Sequence, residues 1–520
     1  MNPLASLVLS LVPASAAGDW TALPCPTLAA APAPHGHPPA LWDGSHIRPL
    51  VARAETRTRP AGPRLPLSTV TQMLEEDARA RGDALEFFRG SPLLLARGNP
   101  AALERARALL ADLERQTRTL EIELHCTLRE IPAGAAANAA SGSPVLEQVA
   151  RIASGAEAFF GARTSESFLE TFEVEVAADS GVSRPEVSLL ATGTTLHLTA
   201  ARLGQGGSIF LSGLFDRGTL VQRTQFEPGS NDLGKLEQPR VEVVQCAFAG
   251  IVENGKRLEL ELVPKAGGPR LALSIEARTS TEKPAAQTDG WRLYDLAFVA
   301  RDARNLPRLG PGALLLSEFN WNEEAPAGSA LPPSALAASL DEGRGASSGR
   351  APGSLYWTDE LLLLPRSDAA LQERAGALLA GAEALRSRGA TLDLQQGAVE
   401  AHFPVLCGFP ARFLAGAEQP WLIGYRTELA PQTWMPVPEV ATGFDGLCLW
   451  CGPGEAGADC AAWSVRSGPA REIAREDARL GKLQALAREL RSDDCHLVLS
   501  EPPRELFAGA DKLSLGLRPR

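Results

Sequence analysis

The sequence predicts an α+β chain: two tandem copies of a small β-α-β-β-α-β domain, each followed by a β-rich, sandwich-like domain. Three observations lead there. First, the stretch from Phe87 through Asn99–Ala111 returns as Tyr356 through Asp368–Ala380, with Phe87 and Tyr356, like Glu104 and Glu373, 269 positions apart. A gap-free echo at so long a period marks duplicated domains and not a solenoid of short repeats. Second, Leu120, Ile122, Leu124, Cys126 and Leu128 alternate with Glu121, Glu123, His125 and Thr127, the period of a half-buried strand. Third, beyond Ser143 the chain turns to short alternating runs separated by turn residues.

Composition bounds the rest. With 520 residues, 44% hydrophobic and 22% charged, the chain has material for three or four domains. A net charge of −11 and the lack of a basic stripe exclude nucleic acid and disfavour polyanionic ligands. Residues 1–17 read as a signal peptide: Leu4–Val12 is too short an apolar run to span a bilayer, and the small-x-small string Ala14-Ser15-Ala16 follows it. The expected location is therefore outside the cytoplasm, in the periplasm or outer envelope, and no other run has the length of a transmembrane helix. Eight cysteines permit disulfides without fixing their pairing, and Cys126 and Cys246, set within strands, read as small buried hydrophobes.

Element by element, residues 18–45 form a Pro- and Ala-rich leader and 46–130 the first α+β domain. It opens with a strand at His46–Arg53, whose counterpart is Tyr294–Arg301. Thr69-Val70-Thr71-Gln72 is a capping box for a helix to Ala80, stopped by Gly82. Strands at Ala84–Phe88 and Pro92–Ala96 follow. Asn99 then caps a helix with Pro100 in its first turn and an apolar stripe of Leu103, Ala106, Leu110 and Leu113. The strand Thr119–Arg129 closes the domain.

After a flexible Gly134–Ser143 stretch, the first β-rich domain spans 144–280, with runs at Phe172–Val176, Thr194–Leu198, Ser208–Leu211, Val241–Phe248 and Leu258–Val263 and a hairpin turn at Asn254-Gly255. The second α+β domain spans 291–400 with a flexible insertion at 325–353; the second β-rich domain spans 401–500 and a tail 501–520. Gly155-Ala156-Glu157 is matched to Gly416-Ala417-Glu418, Pro185-Glu186-Val187 to Pro438-Glu439-Val440, and Gly193 to Gly446. The interval from Gly155 to Pro185 thus shrinks from 30 residues to 22, which implies a shortened loop. Arg471–Arg491 is helical in pattern, with a strand at His496–Ser500. Trp421 and Tyr425, set near a match to Phe159-Phe160, read as core.

Leu93-Leu94-Leu95-Ala96-Arg97-Gly98-Asn99-Pro100, the helix Glu104–Leu113 and Leu120-Glu121-Ile122-Glu123-Leu124 resemble the ring-forming periplasmic N-domain of bacterial secretins of type II and type III secretion systems. Gly155-Ala156-Glu157, the strand Thr192–Thr199 and Val252-Glu253-Asn254-Gly255-Lys256 resemble the start of the secretin β-domain. The family's closing segment and gate-sized insertion are not seen, and the apparent strands fall short of the about 9–11 residues of a membrane-barrel strand. The resemblance implies envelope architecture and self-association into a ring or contacts with protein partners.

Motifs that look chemical have plainer readings. Gly345-Ala346-Ser347-Ser348-Gly349 matches a nucleophile elbow but lies in a linker, without the strand and helix the elbow needs. Gly250 to Lys256 matches most of a phosphate loop, yet Arg257 stands where a Ser or Thr would hold Mg²⁺, and Asn254-Gly255 is explained as a turn. Cys448-Leu449-Trp450-Cys451 is a C-x-x-C string on a predicted strand, where residues three apart face opposite ways. His35-Gly36-His37 lacks further metal ligands. Glu318-Phe319-Asn320-Trp321-Asn322-Glu323-Glu324 places aromatic and acidic groups side by side, whereas glycosidase carboxylates sit on separate strands. No catalytic residue, cofactor or metal is therefore expected. The expected function is a non-enzymatic scaffold or component of a secretion-type assembly in the cell envelope. Its alternatives are an exported enzyme, carbohydrate-active on Glu318–Glu324 or thiol-redox on Cys448–Cys451, and an adhesive cell-surface β-sandwich.

Overall fold

The computed structural model describes residues 21–23, 47–49, 67–88, 94–134, 144–176, 181–204, 207–226, 235–265, 267–279, 290–300, 333–341, 355–358, 360–406, 409, 411–429, 434–453, 458–467, 471–477, 481–487, 490–499, 504–506 and 513–519. Its first half begins with β1 (Thr21–Leu23), β2 (Ile47–Pro49), α1 (Leu67–Ala80), β3 (Leu85–Phe88), β4 (Leu94–Gly98) and α2 (Pro100–Arg118). Eight longer strands follow: β5 (Glu121–Ile131), β6 (Pro144–Ala153), β7 (Glu157–Val176), β8 (Gly181–Leu203), β9 (Ser208–Phe226), β10 (Leu236–Glu253), β11 (Arg257–Val263) and β12 (Arg270–Thr279).

The second half runs in the same order. It holds β13 (Trp291–Asp295), α3 (Pro333–Asp341), β14 (Tyr356–Trp357), β15 (Leu361–Pro365) and α4 (Ala369–Arg386). Then come β16 (Gly389–Gln396), β17 (Val399–Leu406), β18 (Ala411–Leu429), β19 (Trp434–Pro453), β20 (Ala458–Ser467), β21 (Arg471–Asp477), β22 (Gly481–Ala487), β23 (Leu490–Leu499), β24 (Arg504–Leu506) and β25 (Leu513–Pro519).

Two large antiparallel sheets dominate. One has the order β2-β8-β9-β10-β18-β19-β20-β23, with β7 also on β8; the other has the order β24-β25-β16-β17-β11-β12-β5-β6. Between them lies one apolar core drawn from both halves, including Ile122, Leu124, Leu198, Phe215, Phe248, Leu260, Phe403, Phe413 and Leu449. Each such side chain contributes about 1.5–3 kcal/mol on leaving water. The helices sit with two small sheets, β1-β4-β3 and β13-β15-β14.

The predicted α+β class is thus overturned: the protein is mostly β, and its described helices number four. The strand that was to close the first β-α-β-β-α-β unit, β5, pairs with β12 and β6 in the eight-stranded sheet. Of the expected opening strand His46–Arg53, the described Ile47–Pro49 pairs with Leu190–Ser188 of β8. The small sheet instead takes Thr21–Leu23, from within the expected leader, against Ala96–Leu94. Inside the expected flexible insertion stands α3, its Leu336, Ala337 and Leu340 buried against Leu371 and Phe409. Physically, a three-stranded sheet cannot cover the apolar face of an eleven-residue strand, so β5 buries its face on the opposing large sheet, with Leu146 of β6 beside it.

Around the repeated helices the local chemistry matches the sequence pattern. Asn99 Oδ1 accepts from the Ala102 amide and Asp368 Oδ1 from the Leu371 amide, at 2.7 and 3.0 Å. Ala102, Ala106 and Leu110 bury one face of α2, as Leu371, Ala375 and Leu379 do on α4. Helix α1 starts two residues before the predicted cap, so Thr69 is helical and no cap; Gly82 does end the turn, with φ of 77°.

The β runs extend far beyond expectation. Strands β7 to β10 measure 20, 23, 19 and 18 residues, so the reading of strands too short for a barrel does not hold. The β7–β8 and β18–β19 hairpins have the same ladder register. Phe172 faces Pro185 and Tyr425 faces Pro438, 253 positions on in both strands; Val176 faces Gly181 as Leu429 faces Trp434; and the bulges between Leu169 and Thr171 and between Leu422 and Gly424 coincide. This register corrects two matches. Gly416 corresponds to Arg163 and not Gly155, because Arg163 faces Gly193 as Gly416 faces Gly446. Trp421 and Tyr425 correspond to Phe168 and Phe172, not to Phe159-Phe160. The shortening lies earlier: β5 and β6 are joined through residues 132–143, β16 and β17 through Gly397 and Ala398. The predicted helix Arg471–Arg491 is instead the β21–β22 hairpin, where strand pairing outweighs the helix propensity of its Ala, Arg and Glu residues.

Candidate functional site

The most built polar surface among the described residues is the junction where the halves meet, and it has three layers. In the helical layer, α2 lies against the edge of β13. The Gln116 carboxamide, 4% exposed, donates from Nε2 to Trp291 O and to Asp112 Oδ2 and accepts at Oε1 from the Leu293 amide, all at 2.9 Å. A side-chain amide has the donor and acceptor of a peptide group, so it takes the place of a further strand. Beside it, Asp112 pairs with Arg366 at 3.0 Å, both nearly buried. Leu109 Cδ2 packs where a Cβ on Gly290 would come within 2.8 Å, at a φ of +93° that also favours glycine.

In the second layer β10 pairs with β18, from Val241 opposite Glu418 to Ala247 opposite Arg412. Arg412 is buried and donates from Nη2 to Gln245 Oε1 at 2.8 Å; burial lowers its pKa. In the third, β11 meets β17 through Glu261–His402, Leu262–Ala401 and Val263–Glu400.

A buried polar group links the layers. Asp295 accepts at Oδ1 from the Ala297 amide at 2.9 Å and neighbours Ser154 and Arg202 of the first half. Burial pushes its pKa up to about 6, partly offset by those hydrogen bonds and the Arg202 charge. Nearby, Glu383 Oε1 of α4 accepts from the Gly204 amide at 2.8 Å, and burial raises its pKa as well.

The far ends of the long hairpins make a further contact. The Thr171 hydroxyl donates to Pro438 O at 3.1 Å, the Leu169 amide donates to Glu237 Oε2 at 3.1 Å, and Phe172, Leu236 and Leu422 pack together.

The chemical motifs fare differently. Cys448 is a fully buried free thiol whose pKa burial pushes up to about 12, while Cys451 is engaged in a disulfide and faces Cys460 in the strand ladder. The C-x-x-C string is thus no dithiol pair. Cys126 and Cys246 are buried free thiols, as their strand positions suggested. The phosphate-loop string is a β10–β11 turn: Gly255 has a φ of +78°, Asn254 exchanges hydrogen bonds with Thr279 at 2.9 and 3.1 Å, and Gly250 lies within β10. Glu318–Glu324, Gly345–Gly349, His35–His37 and the signal peptide 1–17 lie outside the described residues. Among the described residues no cluster of three His, Cys, Asp or Glu is placed to hold a metal, and no helix is long and apolar enough to cross a membrane.

Sequence reading missed the junction because its members lie up to 177 residues apart; the signal available was that Gln116 and Asp112 are polar positions on the α2 face that α4 fills with Leu385 and Gly381. No protein-family model and no curated protein matches the chain. Among solved structures it is similar to the secretin-domain β-barrel of InvG from the Salmonella SPI-1 injectisome, at 13% identity over 43% of this chain and 82% of that one, with a TM-score of 0.20.

Proposed function

We propose that this protein is a non-enzymatic structural component of a secretion-type assembly in the cell envelope, exported to the periplasm or outer envelope and working through protein–protein contacts of strand edges and helix faces. One observation carries the reading: four long strands from each half lie side by side in one sheet, joined edge to edge by β10 and β18. Such an architecture offers edges and faces for association, and the polar groups it buries are spent on holding modules together.

The test is fractionation of a diderm bacterium producing the full chain, combined with cross-linking in the living cell. The expected result is recovery from envelope fractions in cross-linked complexes. Recovery as an uncross-linked species in the cytosol or the medium overturns the reading.

A further inference from the structure

The counterparts of the two sides of the internal junction stand at the ends of the chain, with Leu385 and Gly381 on α4 where α2 has Gln116 and Asp112. On β18, Ala415 and Ala417 are 3% and 7% exposed under β10, whereas their counterparts on β7, Ala162 and Thr164, are solvent-exposed. On α2, Gln116 is buried against β13, whereas its counterpart on α4, Leu385, is 62% exposed, with Leu378 exposed beside it. Among the described residues β7 pairs with β8 alone and β23 with β20 alone, so each large-sheet quartet ends on an open edge. All three layers run in one direction: β10, β11 and α2 of the first half receive β18, β17 and β13 of the second.

We propose that a second copy of this chain docks head to tail on the first, its β7 and β1 side seated on the β23 and α4 side of the first, repeating between chains the β10–β18 strand pairing found within one, with an apolar contact of α4 in place of the Gln116 hydrogen bonds; this rests on the assembly reading above. The register follows from the ladders. Gly193 faces Gly218, and Gly218 faces Val243; Gly446 faces Val465, and Val465 faces Ser492. Ser492 is therefore the counterpart of Val243. Since Val243 pairs with Gly416, whose counterpart is Arg163, Ser492 of one chain comes opposite Arg163 of the next, and Arg491 opposite Thr164.

At the β7 edge the Gln148 carboxamide of β6 donates to Gly161 O at 3.4 Å and accepts from the Gly161 amide at 3.2 Å, so the Gly161 edge faces outward and Gln148 gives way where a strand pairs with it. An open groove of about 270 Å³ runs beside it, lined by Val145, Ala162, Thr164, Thr192 and Arg217. Leu378 and Leu385 supply the apolar contact that an α4-to-β1 packing requires. Because the two joined surfaces differ, the contact is heterologous and builds a ring or an open filament.

Single variants Thr164→Cys and Arg491→Cys of the full chain test the register. Gly161 turns its peptide group outward, so Thr164 takes part in the close, non-hydrogen-bonded pairing, with Cα atoms about 4.5 Å apart, within disulfide reach. Mixed and oxidised, the two variants should give a covalent dimer that neither variant alone nor the parent chain gives. No dimer in the mixture, or as much from one variant alone, overturns the proposal. Light scattering of Leu385→Glu, an exposed position, should show loss of the multimer with an unchanged circular dichroism spectrum; an unchanged multimer overturns it as well. A chain found in envelope complexes with other proteins, yet monomeric and unlinked here, refutes this junction and leaves the broader reading standing.

Discussion

Replacing Gln116 with alanine probes the internal junction most sharply. The substitution removes three hydrogen bonds of 2.9 Å and strands Trp291 O and the Leu293 amide at a covered strand edge. An unsatisfied buried group costs about 1–3 kcal/mol, so the two together give a loss of about 3 kcal/mol. The counterpart on α4, Leu385, faces solvent, and Leu385→Ala in the dissociated chain should change stability by about 0.5 kcal/mol or less. Urea unfolding of both variants, followed by tryptophan fluorescence at a concentration that keeps the chain monomeric, makes the comparison within one protein. Equal effects at the two positions would refute the claim that the halves are held by α2 on β13.

Three further outcomes are expected. Asp295 has a folded-state pKa of about 6 against 3.8 for the ordinary side chain, so its contribution is fully present below the lower value and is lost as pH rises through the upper one. Unfolding free energy should fall by up to about 1.4 kcal/mol per pH unit across that window, and Asp295→Asn should flatten the profile; an identical slope in the variant would count against it. Gly193→Ala and Gly446→Ala should both lower the unfolding midpoint markedly, because a Cβ would meet Ala162 O at 2.2 Å and Ala415 O at 2.3 Å, the same ladder position in each hairpin. Cys448 should resist iodoacetamide in the native protein and react once the chain is unfolded, as mass spectrometry of labelled peptides would show; rapid native labelling contradicts its burial.

Much of the local structure was legible because it depends on near neighbours. Asn99 and Asp368 announce their helices through cap chemistry, and the alternation from Ile122 to Leu128 gives the buried face of β5 directly. The long strands were not legible, because residues that usually end a strand lie inside them. Gly193 sits where β7 comes close to β8, Gly161 lies within β7, and Pro185 faces Phe172 in the ladder. Read as breaks, they cut 20-residue strands into five-residue pieces. The match of Gly155 to Gly416 failed for a related reason: three similar letters outweighed a register that only strand pairing reveals. The junction was illegible in sequence because Gln116 announces nothing until β13 is placed against it.

One consequence follows from having both modules on one polypeptide. Every second contact around a head-to-tail array is then made during folding, before any partner is met, and cannot be diluted away. If the array closes, the number of modules around it is even whatever the number of chains. Mutations can also specialise the two members of each pair independently, giving an alternating circumference that a single-module subunit could never produce.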